Sequence, residues 1–208
     1  NDIMLSIESP LGIRPFAAYR FVAMPFSISL NATPVPGQIT ANAQTIVRMG
    51  ERDRKLEARI TLDVQDRSIY HVGLLVPADL DIEQVSAPGA FEWAVTPHKD
   101  RKLLSVILTA GQSHQVPILI SGRLGEVGVS EQMALPQLEV LDVQRQEGDI
   151  VVQRDPAFKI DTADLHECEI TELKRLYEWL TPKQRELTRV AVHYRSPAYT
   201  GQLKLVAL

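Results

Sequence analysis

Apolar and polar residues alternate strictly along one stretch: Leu56, Ala58, Ile60, Leu62 and Val64 are separated by Glu57, Arg59, Thr61, Asp63 and Gln65. A period of two puts every apolar group on one face of a strand and leaves the other face wet. Phe26, Ile28, Leu30 and Ala32 repeat the pattern against Ser27, Ser29, Asn31 and Thr33. Apolar patterning predicts further strands over 39–49, 69–76, 82–86, 91–96, 103–109 and 116–122, and later over 138–144, 150–153, 190–195 and 202–207. Gly, Pro and Asp fall between them where the chain must reverse, in Met49-Gly50-Glu51, Ala87-Pro88-Gly89, Pro97-His98-Lys99-Asp100, Ala110-Gly111-Gln112 and Glu147-Gly148-Asp149. Short strands at this spacing, with no helical pattern separating the earlier ones, predict antiparallel sheets packed as a sandwich rather than a βαβ fold.

One helical pattern stands out. Leu173, Leu176, Tyr177 and Leu180 fall at i, i+3, i+4 and i+7, with Thr171 as N-cap and charged residues on the remaining surface. Thr181-Pro182-Lys183-Gln184 then has the form of a capping box, predicting a kink or stop at Thr181 and a further turn to Leu187. The expected fold is mainly β, an antiparallel β-sandwich with one C-terminal amphipathic helix, all-β or α+β in class. The helix stripe is expected to cover a sheet edge or one end of the sandwich. Gly122, Gly125, Gly128 and Pro136 mark a boundary. It divides the chain into a β-sandwich over 1–124, whose N-terminal strands are free to pair elsewhere, and a smaller β/α part over 125–208. The smaller part is expected to pack on the sandwich as a second domain or within the same one.

The two ends share a pattern. Ala18-Tyr19-Arg20-Phe21, Pro25 and Phe26-Ser27 run in register with Ala191-Val192-His193-Tyr194, Pro197 and Tyr199-Thr200. With the Val76-Pro77 turn followed by Trp93, these segments resemble tandem β modules of large exported bacterial proteins of unknown function. The resemblance implies a repeated β unit and transfers no catalytic or binding residue.

Composition narrows the classes. Hydrophobic residues are 45% and charged residues 23% of the chain, as in ordinary folded domains. No apolar run approaches the length of about 20 residues that a membrane span needs. The net charge of −4 with scattered Lys and Arg argues against a nucleic-acid surface. The densest basic stretch, from Arg48 to Lys55, is interrupted by Glu51 and Asp53 and reads as a hairpin tip. One cysteine, Cys168, rules out an internal disulfide. The chain begins Asn1-Asp2 without an initiator Met, which fits a soluble segment of a larger multidomain protein, with the periplasm or the cell exterior the favoured compartment.

Chemistry-bearing residues are sparse. His71, His98, His114, His166 and His193 show no pairing at helical ligand spacing. In an extended His166-Glu167-Cys168-Glu169, imidazole and thiolate would share one face, but two ligands do not complete a metal site. No Gly-x-Ser-x-Gly elbow and no Gly-rich phosphate loop occurs. The acidic pairs Asp79/Asp81, Asp161/Asp164 and Glu167/Glu169 lack calcium-loop spacing. Neither a metal nor a cofactor is therefore expected. Trp93 alternates with Phe91 and Val95 and reads as core, whereas Trp179 lies beside the helix stripe. Asn31-Ala32-Thr33 matches a glycosylation acceptor and is read as chance.

The expected function is that of a non-catalytic structural or interaction module, presenting loops or an edge strand to other domains of its parent chain or to a protein partner. A carbohydrate-binding module using Trp179 and Tyr199 is the alternative. An enzyme domain with a site around Cys168 and His166 is the weaker one.

Overall fold

A computed structural model of the chain describes residues 38–50, 53–125, 132–154 and 158–207, all within one compact unit, Gly37–Leu208. The strand expected at Phe26–Ala32, the N-terminal copy of the shared end pattern, and Asn31 lie outside the described residues. The described chain is mainly β, a sandwich built from β1 (Gln38–Met49), β2 (Arg54–Pro77), β3 (Leu80–Ser86), β4 (Phe91–His98), β5 (Arg101–Leu124), β6 (Gln132–Ala134), β7 (Glu139–Val140), β8 (Arg145–Gln153), β9 (Phe158–His166), β10 (Cys168–Ile170), β11 (Thr188–Tyr194) and β12 (Thr200–Ala207).

Among the described residues, β10-β11-β8-β1-β2-β5-β3 form one large sheet, with β4 beside β5 and β7 beside β2, and β6-β12-β9 form a small one. Strands from both sides of position 124 share the large sheet. Its pairs are antiparallel except β1 and β8, which run parallel. Among the described residues no helix is long and apolar enough to cross a membrane.

Two long strands organise the sandwich. The sequence suggests separate strands on either side of 65–68 and of 110–112, but β2 and β5 each run through without a break. Their pairing passes from Val64↔His114 to Ile69↔Gln112, so four residues of β2 face a single residue of β5. Positive φ at Asp66 (69°) and His114 (63°) accommodates this bulge, which bends the ribbon. Ile60 and Leu62 before the bend share one core cluster with Val72 and Leu74 after it, and Leu203 of β12 joins them. Gly111, expected in a turn, lies within β5, where a Cβ would come 2.8 Å from the Tyr70 ring and from Ser68. Gly148, also expected in a turn, lies inside β8, where a Cβ would collide with the Ala43 carbonyl and lie 2.8 Å from the Tyr194 hydroxyl. Both glycines serve close approach rather than reversal.

The C-terminal helical pattern splits in two. Residues Leu173–Leu176 make only a 3-10 turn, and the α-helix, α1, is Pro182–Leu187. A helix of the expected length is marginal on its own, and here competing donors take its carbonyls. Arg185 of α1 donates from Nη2 to the Tyr177 carbonyl (2.6 Å) and from Nε to the Leu180 carbonyl (2.9 Å). Its guanidinium also sits 4.2 Å above the Tyr177 ring. The capping box is formed: Thr181 N–H donates to Gln184 Oε1 (2.8 Å), and Gln184 N–H donates to Thr181 Oγ1 (3.3 Å). The apolar stripe docks as a strap on the outer sheet face, where Leu176 and Leu180 bury against Ile46, Val151 and Ala191. Tyr177 stays exposed.

Candidate functional site: an open edge strand

Strands β3 and β4 are both edge strands laid along β5, on opposite sides of its bend. The register Phe91↔Leu108, Trp93↔Val106 and Val95↔Leu104 puts the odd residues of β4 on the inner face, beside buried core residues of β5. Yet Trp93 is 41% and Val95 36% exposed. Trp93 is therefore not the core residue its alternation suggested: alternation tells which face a side chain shares, not whether that face is covered. Among the described residues β4 pairs only with β5, so its other edge has no strand partner. Pro97 lies in β4 opposite Lys102. Proline lacks the N–H a central strand needs, so Pro97, expected in a turn, suits the edge strand in which it lies.

The residues singled out from sequence disperse. Tyr199 is 1% exposed. Its ring stacks on Tyr194 at 4.2 Å, and its hydroxyl donates to the Pro136 carbonyl (2.6 Å) while accepting from Leu138 N–H (3.2 Å). No ring face is open to a sugar, so Tyr199 is a clamp on 136–138 rather than a ligand platform. The buried Gln146 side chain extends the clamp, donating to the Leu138 carbonyl (2.7 Å) and accepting from Val140 N–H (2.7 Å). Desolvation raises the pKa of both phenols, that of Tyr194 to about 12 and that of Tyr199 well above its ordinary value.

His166 ends β9 in the small sheet, whereas Cys168 begins β10 in the large one. Glu167 between them has a φ of 54°, so the extended run that would align imidazole and thiol is broken. The thiol donates to the Thr200 carbonyl at 3.3 Å. Burial pushes its pKa up, more than its hydrogen bond with the His166 backbone lowers it, and a protonated thiol is a poor nucleophile. Asp81 faces Arg123 (3.5 Å) and Asp161 faces Lys159 (2.7 Å). Among the described residues no three His, Cys, Asp or Glu side chains gather to hold a metal ion.

One pairing was not read from sequence. His193 Nδ1 and Asp149 Oδ1 lie 2.9 Å apart across β11 and β8. Asp149 was assigned to a turn, which hid its strand partner. Among the described residues no hydroxyl or thiol is hydrogen-bonded to this imidazole, so the pair orients no nucleophile. Trp179 is half-buried and borders a groove on the outer sheet face.

No family model matches the chain, and no curated protein sequence does. Among solved structures, the chain is similar to an M1 zinc metallopeptidase from Deinococcus radiodurans, with a TM-score of 0.41 and 11% identity over 82% of this chain and 44% of that one. It is also similar to leukotriene A4 hydrolase from Saccharomyces cerevisiae, with a TM-score of 0.45 and 9% identity over 81% of this chain and 29% of that one. A non-cellulosomal cohesin from Archaeoglobus fulgidus gives a TM-score of 0.37 and 14% identity over 56% of this chain and 92% of that one. The chain spans less than half of either hydrolase, and likenesses this distant carry no argument about activity.

Proposed function

We propose that this chain is a non-catalytic interaction module whose β4 edge takes up an extended segment of a protein partner. The observation that carries the reading is the inner-face row of β4, where Trp93 and Val95 stay 41% and 36% exposed beside a buried core. A strand added along β4 would meet the backbone groups left without a strand partner among the described residues. Its alternate side chains would pack on Phe91, Trp93 and Val95, giving main-chain affinity with side-chain specificity. The partner segment is therefore extended and apolar at every second residue.

Binding of the fluorescent probe 8-anilinonaphthalene-1-sulfonate tests the reading. The folded chain should bind it, and Val95→Lys should lose most of the signal while keeping its melting temperature. Leu119→Lys, which alters an exposed residue of β5 on the outer face, should leave the signal in place. A folded chain that binds no probe, or a signal untouched by Val95→Lys, would overturn the reading.

A further inference from the structure

The outer face of the large sheet is only partly covered. The strap buries Leu176 and Leu180 over β1, β8 and β11 and ends its coverage at Trp179. Beyond that indole lies an open groove in two lobes of about 500 and about 580 Å³, both bordered by Gln44, Arg59 and Trp179. Volumes of this size suit a small ligand or one or two units of a polymer.

The strand register builds the floor. Gln44, Arg59, Leu119 and Ser86 form one row across β1, β2, β5 and β3. Glu57, Ser121 and Gln84 form the next row on one side, and Thr61 opposite Pro117 lies on the other. Pro117 sits just past Ser86, the last β3 residue paired to β5, so β3 no longer flanks the groove there.

The polar groups of this floor are unused. Gln44, Arg59, Thr61, Gln84, Gln115 and Ser121 have no side-chain hydrogen-bond or ion-pair partner among the described residues. Elsewhere the comparable side chains are engaged: Gln146 with 138 and 140, Gln153 with Gln184, Arg101 with Glu139, and Arg123 with Glu83. Glu57, which lines the first lobe, is held by Arg48 at 3.3 Å and leaves Arg59 unpaired. The Trp179 N–H is buried without an acceptor. The part of the indole that borders the groove is therefore carbon.

We infer that this groove is a binding site for a neutral saccharide, its ring set against the Trp179 indole and its hydroxyls bonded to Arg59 and the amides of Gln44, Gln84 and Gln115. Sugar hydroxyls both donate and accept, which matches amides and hydroxyls better than a purely acidic or basic ligand would. The C–H face of a pyranose suits an indole presented through carbon. Glu57 and Glu178 in the lining oppose a polyanion, and the polar side chains set among Leu119, Pro117 and Trp179 suit a sugar better than a lipid chain, which would leave them unpaired. The site shares no residue with the β4 edge, so the two readings stand or fall separately.

The test uses a Trp93→Phe chain, in which Trp179 is the remaining tryptophan. Its fluorescence is followed against cellohexaose, maltohexaose and chitohexaose, with polygalacturonate as the charged comparator, and the same chain is applied to an array of neutral glycans. A saturable change with at least one neutral glycan and none with polygalacturonate is expected. Arg59→Ala should weaken that binding at least about tenfold, the loss expected when a charged donor is removed. Because Trp179 also packs on the strap, Gln44→Ala serves as the second variant and should weaken binding with an unchanged melting temperature. No response from any neutral glycan would overturn the inference. So would tighter binding of polygalacturonate, or affinity unchanged in both Arg59→Ala and Gln44→Ala.

Discussion

Strands β3 and β4 pair with the same long strand, one on each side of its bend, and they solve the problem of a free edge in opposite ways. In β3, Leu80 and Val85 point inward and are 1% and 8% exposed, while Asp81 and Glu83 hold Arg123 at the surface. Carboxylates on an edge discourage another chain from pairing there. In β4 the inward residues Trp93 and Val95 remain open to solvent, and Pro97 interrupts only the far end. Identical register logic thus yields a closed edge and an open one. The difference lies in what packs over the inner face, and this is a tertiary fact rather than a local one.

The largest expected effect sharpens that contrast directly. Leu80→Ala in β3 should cost about 2–5 kcal/mol in chemical denaturation, because it leaves a cavity among fully buried neighbours. Trp93→Ala in β4, although it removes a larger side chain, should cost less than Leu80→Ala, because much of that side chain is already in water. Equal losses would mean that β4 is covered after all. Ile60→Ala, at the centre of β2 between Ala43 and Ile118, belongs with Leu80 and should also lose about 2–5 kcal/mol.

The same core can be opened from its other end with alkali. Tyr194 and Tyr199 have folded-state pKa values raised above the ordinary value of 10.0, to about 12 for Tyr194. Ionisation is thus harder in the folded chain, so their contribution is fully present below pH 10 and is lost as pH rises through the folded-state values. For Tyr194 the contribution is on the order of 2–3 kcal/mol. Stability followed by urea denaturation should be flat with respect to these groups up to about pH 10 and fall above it. A Tyr194→Phe chain should show a shallower fall.

The strap provides a third contrast, since its apolar residues are covered where those of β4 are not. Leu176→Asp would bury a carboxylate against Ile46 and Val151 with no partner. A lowered denaturation midpoint is expected, corresponding to a stability loss of at least about 1 kcal/mol. An unchanged midpoint with a monomeric elution profile would mean that the strap is itself a docking surface.

These contrasts also mark what the sequence could reveal. Strict alternation from Leu56 to Val64 identified a one-sided strand, and all five apolar residues are buried. Thr181, Pro182 and Gln184 announced α1 because capping is a local device. The two strands flanking each bend were visible, but their continuity was not, since the bulge at Asp66 uses the residues a turn would use. β9 went unread because Asp161 and Asp164 dilute its apolar pattern, and its pairing with β12 supplies what the side chains do not. The parallel pairing of β1 with β8 joins residues about a hundred positions apart, and no local pattern encodes it. Of the candidate site residues, Trp179 lies half-buried beside the strap stripe, whereas Tyr199 is buried, which a single aromatic in a strand pattern does not reveal.

Sedimentation velocity over a range of concentrations tests the central claim most directly, because an open apolar edge should template pairing with a second copy when no partner is present. The unmodified chain should shift toward faster-sedimenting species as concentration rises, Val95→Lys should remain monomeric, and Leu119→Lys should behave like the unmodified chain. A monomeric unmodified chain at the highest soluble concentration, or association undiminished in Val95→Lys, would contradict the account.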